Sequence, residues 1–265
     1  VRFSDLQIGI RMWKQTSLKS LQVSQWLQQL PTAAGVENQL VVEGSVEDEA
    51  RLGGRALSTR FACLVQPLRA EQALEDCRTY SGAAAFKGLF DRCAALMARI
   101  QSLPQPVIAQ VHGIATAAGC QLVATCDLAI ASEDTRFGVN GVNIGLFCST
   151  PMVALTRSLP RKQAFEMLTT GDFISARRAA ELGLINRAVP ADQLTSEAMT
   201  VAEKIAAKLG TAVAHGKGAF YQQMQLPTDQ AYAFTGDVMV RNMLEADTRE
   251  GIDAFLEKRA PDWQQ

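Results

Sequence analysis

VIAQVHGIATAAGCQLVATCDLAIA, residues Val107–Ala131, is the stretch whose reading decides the fold. Apolar Val107, Ile108 and Val111 read as a buried strand. They lead through Gly113 into Ala115-Thr116-Ala117-Ala118-Gly119, a turn of small residues, then a helix start and a second strand over Asp127–Ala131. Side chains this small let other atoms approach the backbone closely. A helix that begins there points unpaired N–H groups at whatever binds, which suits an anion or a developing oxyanion.

Outward from this unit the pattern stays legible on the C-terminal side. A helix is expected over Leu89–Ile100 before it. After it come an amphipathic helix over Arg161–Thr170 that ends at Gly171, and Ser175 as N-cap of ARRAAEL with Gly183 just past its end. Leu184–Val189 is apolar and extended, and Pro190 closes it. Ala191–Lys258 reads as nearly continuous helix broken at Gly210 and Pro227. Residues 1–88 are harder to read: Leu18–Leu30 has helical spacing, Gln39–Glu43 suits a strand, and Gly53–Arg69 has no clear period. No internal repeat is visible. Strand and helix alternate in the middle and helices gather at the end, which favours an α/β fold with a helical C-terminal segment.

Composition narrows the class. The chain has 265 residues, 48% hydrophobic and 20% charged, with 26 basic against 27 acidic side chains, so it can bury a large core. A net charge of −1 gives no electrostatic case for nucleic acid or for an anionic membrane surface. The uncharged runs Gln101–Cys126 and Gly138–Thr156 contain Pro104, Gln110, His112, Gln121, Asn140, Asn143 and Pro151, and so suit buried layers of a core better than a membrane span. Six cysteines form no Cys-x-x-Cys pair and have no histidine placed for zinc, so no metal site is expected and the thiols read as reduced, in an intracellular protein. No secretory signal is visible. The numbering opens at Val1, so a removed targeting segment stays an open alternative, with cytoplasm or mitochondrial matrix as the expected compartment.

Four motifs in order resemble the crotonase (enoyl-CoA hydratase/isomerase) superfamily over residues 89–265: PQPVIAQVHGIATAAGCQL, TRFGVNGVNIGL, GDFISARRAAELGLINRAVP and REGIDAFLEKRAPDW. The resemblance implies a crotonase-like spiral of βαβ turns over 1–190, poorly matched over 1–88, and a helical segment over 191–265 for oligomerisation into a trimer or dimer of trimers. It implies an acyl-CoA thioester as partner, coenzyme A as part of the substrate and no separate cofactor. By position, Ala118 would supply one oxyanion N–H, with Ile114, Thr116, Ala117, Gly119, Asn140, Asn143 and Gly145 around the substrate. Hydratases of the family carry glutamates at the positions of Gln121 and Gly141. The family's Gly-x-Asp turn, source of the second N–H, is absent from GRALSTRFACL, which leaves Phe61 as the candidate there. Phe255 and Lys258 would meet the CoA adenine and phosphate, often across a subunit boundary.

Each of these residues also has a plainer reading. Gln121 can cap or pack; an amide orients water or a carbonyl but exchanges no proton at neutral pH, so it is no general base. His112 reads as a structural histidine, and Cys148 as packing, since no base or positive field beside it is evident to form a thiolate. Asn143 can satisfy its own turn, and Lys258 with Arg259 can be a solvated helix end. Two functions stay open. One is an acyl-CoA enzyme that stabilises a thioester enolate without a two-glutamate hydratase mechanism; the other is a non-catalytic acyl-CoA-binding or interaction protein on the same fold.

Overall fold

A computed structural model describes residues 7–13, 41–43, 60–65 and 82–263. In chain order the described strands are β1 (Gln7–Trp13), β2 (Val41–Glu43), β3 (Arg60–Val65), β4 (Val107–His112), β5 (Ile114–Thr116), β6 (Leu128–Ser132), β7 (Arg136–Gly138), β8 (Ile174–Ser175) and β9 (Arg187–Val189). The described α-helices are α1 (Ala83–Ser102), α2 (Ala118–Thr125), α3 (Ser149–Ser158), α4 (Arg161–Thr170), α5 (Ala176–Leu182), α6 (Leu194–Ala206), α7 (Gly210–Gln223), α8 (Thr228–Met243) and α9 (Ala246–Leu256). Short 3-10 turns occupy Asn140–Ile144 and Ala191–Gln193.

The strands form two sheets, ordered β2-β3-β1-β4-β6-β9 and β5-β7-β8. From β4 onward the chain winds as a spiral. It lays β4 in the first sheet and β5 in the second, crosses by α2, then lays β6 parallel to β4 and β7 parallel to β5. A further turn through α3, α4, β8 and α5 returns as β9, parallel to β6. The fold is therefore α/β with helices gathered at its C-terminal end, as the motifs imply. The first sheet is mixed, because β1 pairs antiparallel with both β3 and β4.

Both faces of the β4–β6 layer are covered, which explains a nearly continuous apolar run in place of alternation. Val107, Ala109, Val111, Ala129 and Ala131 belong to the main core, with Phe137, Leu155 and Leu168. Ile130 and Val189 face the other way, against Leu194 and Ala198 of α6. On that same side Gln110 Nε2 donates to Thr195 Oγ1 at 3.0 Å.

Local signals placed several elements well. Ser175 caps α5, its hydroxyl accepting Arg178 N–H at 3.2 Å, and Gly183 follows with φ +87°. Arg161–Thr170 is helical and ends at Gly171, φ +71°. Other boundaries moved for identifiable reasons. The helix expected over Leu89–Ile100 starts earlier, at Ala83, and runs to Ser102. The strand expected from Asp127 starts at Leu128, with the Asp127 carboxylate accepting Val107 N–H at 2.6 Å. Leu184–Val189 is a strand only from Arg187, because Leu184 and Ile185 N–H groups turn back to Ala179 O and close α5. In the C-terminal segment Gly210 opens α7, Pro227 precedes α8, and a further break falls at Leu244-Glu245. Within Gly53–Arg69 lies β3, which the sequence did not announce. The helix expected over Leu18–Leu30 lies outside the described residues.

Candidate active site

The small-residue turn after β5 is held under backbone strain. Ala117, the N-cap of α2, has φ +47° and ψ −117°, a region that residues with a Cβ rarely occupy and that costs on the order of 1–3 kcal/mol. Two hydrogen bonds hold it there. Ala117 N–H donates to Gly138 O on the neighbouring β7 at 3.0 Å, and Ala117 O accepts Gln121 N–H at 3.0 Å. Because that second bond is the first of the helix, the N–H groups of Ala118, Gly119 and Cys120 stand ahead of the intrahelical ladder, at the positive end of α2. Ala118 is exposed and Gly119 half-buried, so a ligand oxygen can reach this turn. Gly138 itself is fixed by packing: a Cβ there would lie 2.8 Å from the Phe173 ring.

Across from α2, Asn140, Gly141 and Asn143 lie in the 3-10 turn, and Gly145 ends it with φ +80°. Thr116 on β5 joins the two halves, its hydroxyl donating to Asn140 Oδ1 at 2.6 Å. The chain then folds back, with Leu146 N–H donating to Gly141 O at 2.9 Å. A Cβ at position 141 would stand 2.5 Å from Leu146 O and 2.8 Å from Cys148 Sγ, distances no side chain tolerates. Asn143 presses its amide against Gly171, where a Cβ would lie 2.6 Å from Asn143 Oδ1. Position 141 is thus built for glycine.

Gln121 lies in α2, almost wholly buried, and its Oε1 accepts the Cys93 thiol of α1 at 3.6 Å. Cys120 beside it is sealed in the core, and burial pushes its thiol up to about 12. Cys148 is buried at the N-cap of α3, packed on Gly141. His112 ends β4, half-buried. Ile114 opens β5. Phe61 lies in β3, opposite Met12 of β1. Phe255 and Lys258 belong to a different part of the chain, at the end of α9 and the turn after it, both exposed, with Lys258 at φ +57°.

Two features were not visible in the sequence. Cys93 is one, since it meets Gln121 only through the packing of α1 on α2. The other is a buried fastening beneath the site. Lys217 of α7 donates from Nζ to Ile100 O and Gln105 O, each at 2.9 Å, and to Asp127 Oδ2 at 2.7 Å. Tyr221 donates to Asp127 Oδ1 at 2.8 Å, and burial together with that carboxylate holds its phenol above the ordinary range. An i, i+4 Lys–Tyr pair on a helix is too common a pattern to have announced this.

Comparison with known proteins identifies the family. A family model described as enoyl-CoA hydratase/isomerase matches residues 77–265. Enoyl-CoA hydratase domain-containing protein 3, mitochondrial, of Xenopus laevis is 52% identical over 175 residues, 66% of this chain and 60% of that protein. This chain therefore matches somewhat less than two thirds of that relative's length. Among solved structures, an enoyl-CoA hydratase of Mycobacterium smegmatis superposes with a TM-score of 0.71 at 53% identity, covering 72% of this chain and 75% of the other. Human enoyl Coenzyme A hydratase domain-containing protein 3 superposes at 0.66 with 46% identity, covering 74% of each chain. With the spiral of βαβ turns and the motif order, these matches establish that the chain belongs to the enoyl-CoA hydratase/isomerase family, within the crotonase superfamily.

Proposed function

We propose that this protein is an acyl-CoA enzyme that holds a thioester oxygen on the turn opening α2 and stabilises an enolate-like intermediate there. The observation that carries the reading is Ala117: its φ of +47° is held by hydrogen bonds on both sides, and it leaves Ala118 N–H free of the helix ladder. A donor fixed in advance at the site of developing negative charge is worth several kcal/mol, roughly 3–4 for one such group. Coenzyme A enters as part of the substrate, and the reading needs no separate cofactor.

Hydration by two glutamates is disfavoured. Gln121 exchanges no proton, and the backbone around Gly141 has no room for a side chain. Reactions that need only carbonyl polarisation and enolate stabilisation suit the site better. The apolar side chains left on α8 and α9, Met239 at 61% and Phe255 at 82% exposure, support assembly into a trimer or dimer of trimers, with Phe255 and Lys258 completing a neighbour's CoA site. The mitochondrial designation of the Xenopus relative supports the matrix as compartment.

Calorimetric titration of the pure protein with acetyl-, crotonyl- and longer acyl-CoA, beside the matching free acids, tests ligand class. Thioesters are expected to bind and the acids to bind far more weakly; equal binding of both sinks the reading. A parallel crotonyl-CoA assay is expected to show little or no hydration. Thioester binding without turnover across a broad acyl-CoA panel would move the protein to a non-catalytic binding role.

A further inference from the structure

The strained Ala117 leans on a carbonyl that is itself braced from another strand. Gly138 O accepts Ala117 N–H at 3.0 Å, and Gly138 ends β7. Glycine moves between backbone conformations more freely than any other residue. One hydrogen bond is also worth no more, net, than the strain held at Ala117, so the bond fixes the turn only if its acceptor is kept still. Phe173 stands where it can do that. β8 pairs antiparallel with β7, Phe137 opposite Ile174, and one step further in that register Phe173 falls opposite Gly138. Its ring rests on the glycine: a Cβ on Gly138 would lie 2.8 Å from ring Cδ1 and 2.9 Å from Cε1. An aromatic side chain laid over a glycine across an antiparallel pair pins the strands at that point.

The ring is held in turn. Arg136 shares a face of β7 with Gly138, two positions away, and its guanidinium stands over the Phe173 ring, 5.4 Å from the centroid. Two residues before Phe173, Gly171 receives the Asn143 amide, so the loop of residues 171–173 touches both halves of the site. We propose that Phe173 is a positioning residue: it fixes the Gly138 carbonyl, which holds Ala117 at φ +47° and so aims Ala118 N–H. This step rests on the reading that a thioester oxygen sits on Ala118 N–H. Phe173 acts on that oxygen only through backbone, so its loss weakens carbonyl polarisation and leaves contacts to the rest of coenzyme A alone.

The test is isotope-edited infrared spectroscopy of carbonyl-labelled butyryl-CoA on the full chain, with calorimetry on butyryl-CoA and free CoA. The wild type is expected to lower the carbonyl frequency. Phe173→Ala should lose most of that shift and bind butyryl-CoA about two- to tenfold more weakly, the range of one hydrogen bond. Free CoA, which lacks the carbonyl, should bind it as it binds the wild type. Phe173→Tyr, which keeps the ring, should restore the full shift. Phe173→Leu, which keeps apolar bulk without a ring face, should fall between them, and it carries the test if the alanine variant does not fold. Ser175→Ala separates positioning from packing: it removes the cap of α5 from the same strand, costs stability, and should leave the shift whole. If the ringless variants keep the full shift, or lose no more of it than Ser175→Ala does, this proposal falls while the oxyanion reading stands. If the wild type itself binds the thioester without a shift, or binds none, the reading beneath it falls too.

Discussion

At the scale of single residues, the site turns on what position 141 can hold. Leu146 O and Cys148 Sγ already occupy the space of a Cβ there. Gly141→Ala should therefore destabilise the protein by about 1–3 kcal/mol, as overpacking does, measured by chemical denaturation. A neutral result would mean that the 145–148 loop yields easily, and that glycine is not required there. Lys217 gives a second expectation. Its side chain is 5% exposed and all three of its protons are used, so Lys217→Met leaves the half-buried Asp127 carboxylate without its cation. Removing one partner of such a pair costs about 3–5 kcal/mol, less here because Val107 N–H and Tyr221 still donate to Asp127. The sequence displayed Gln121 and Gly141 themselves. It did not display Cys93 or Leu146 O as their neighbours, since those contacts are made by packing between elements and by a loop folding back.

Among the elements, those with local punctuation were the legible ones. The α5 helix is bounded by Ser175 and Gly183, and both signals act within one turn of chain. Ser175→Ala should cost about 1 kcal/mol, read as a shift in denaturation midpoint. By contrast β1 and β3 are strands because they pair with each other, and β1 also with β4, partners far away in sequence. Nothing in QIGIRMW or RFACLV announces that. The turn opening α2 falls between these cases: its small residues were plain, but the strain at Ala117 depends on Gly138 O from β7. At the other end of the chain, the turn after α9 is closed by Arg259, which grips both Glu250 and Glu257. Arg259 and the Asp262 N–H hold the Glu250 carboxyl down at about 2, below its usual 4.5. A carboxyl with a depressed folded pKa contributes stability that is present above about pH 4.5 and lost as pH falls towards 2. Order at the C-terminal turn, followed by Trp263 fluorescence, should loosen across that acid range and tolerate neutral pH. In Glu250→Gln the acid transition should be absent.

For the whole molecule, the spiral places the strained turn on one layer and leaves apolar side chains on α8 and α9 uncovered. If those faces meet other copies, light scattering should give the mass of three or six chains, and Phe255→Asp should weaken association and CoA binding together. A stable monomer with undiminished acyl-CoA binding would rule out the shared site. The central claim is narrower: the turn at Ala118 polarises a thioester carbonyl. Isotope-edited infrared spectroscopy of carbonyl-labelled butyryl-CoA bound to the pure protein reads that bond directly. Donation from Ala118 N–H should move the carbonyl band to lower frequency than that of the free thioester in water. A bound thioester whose band is unmoved, or moved higher, would contradict the account.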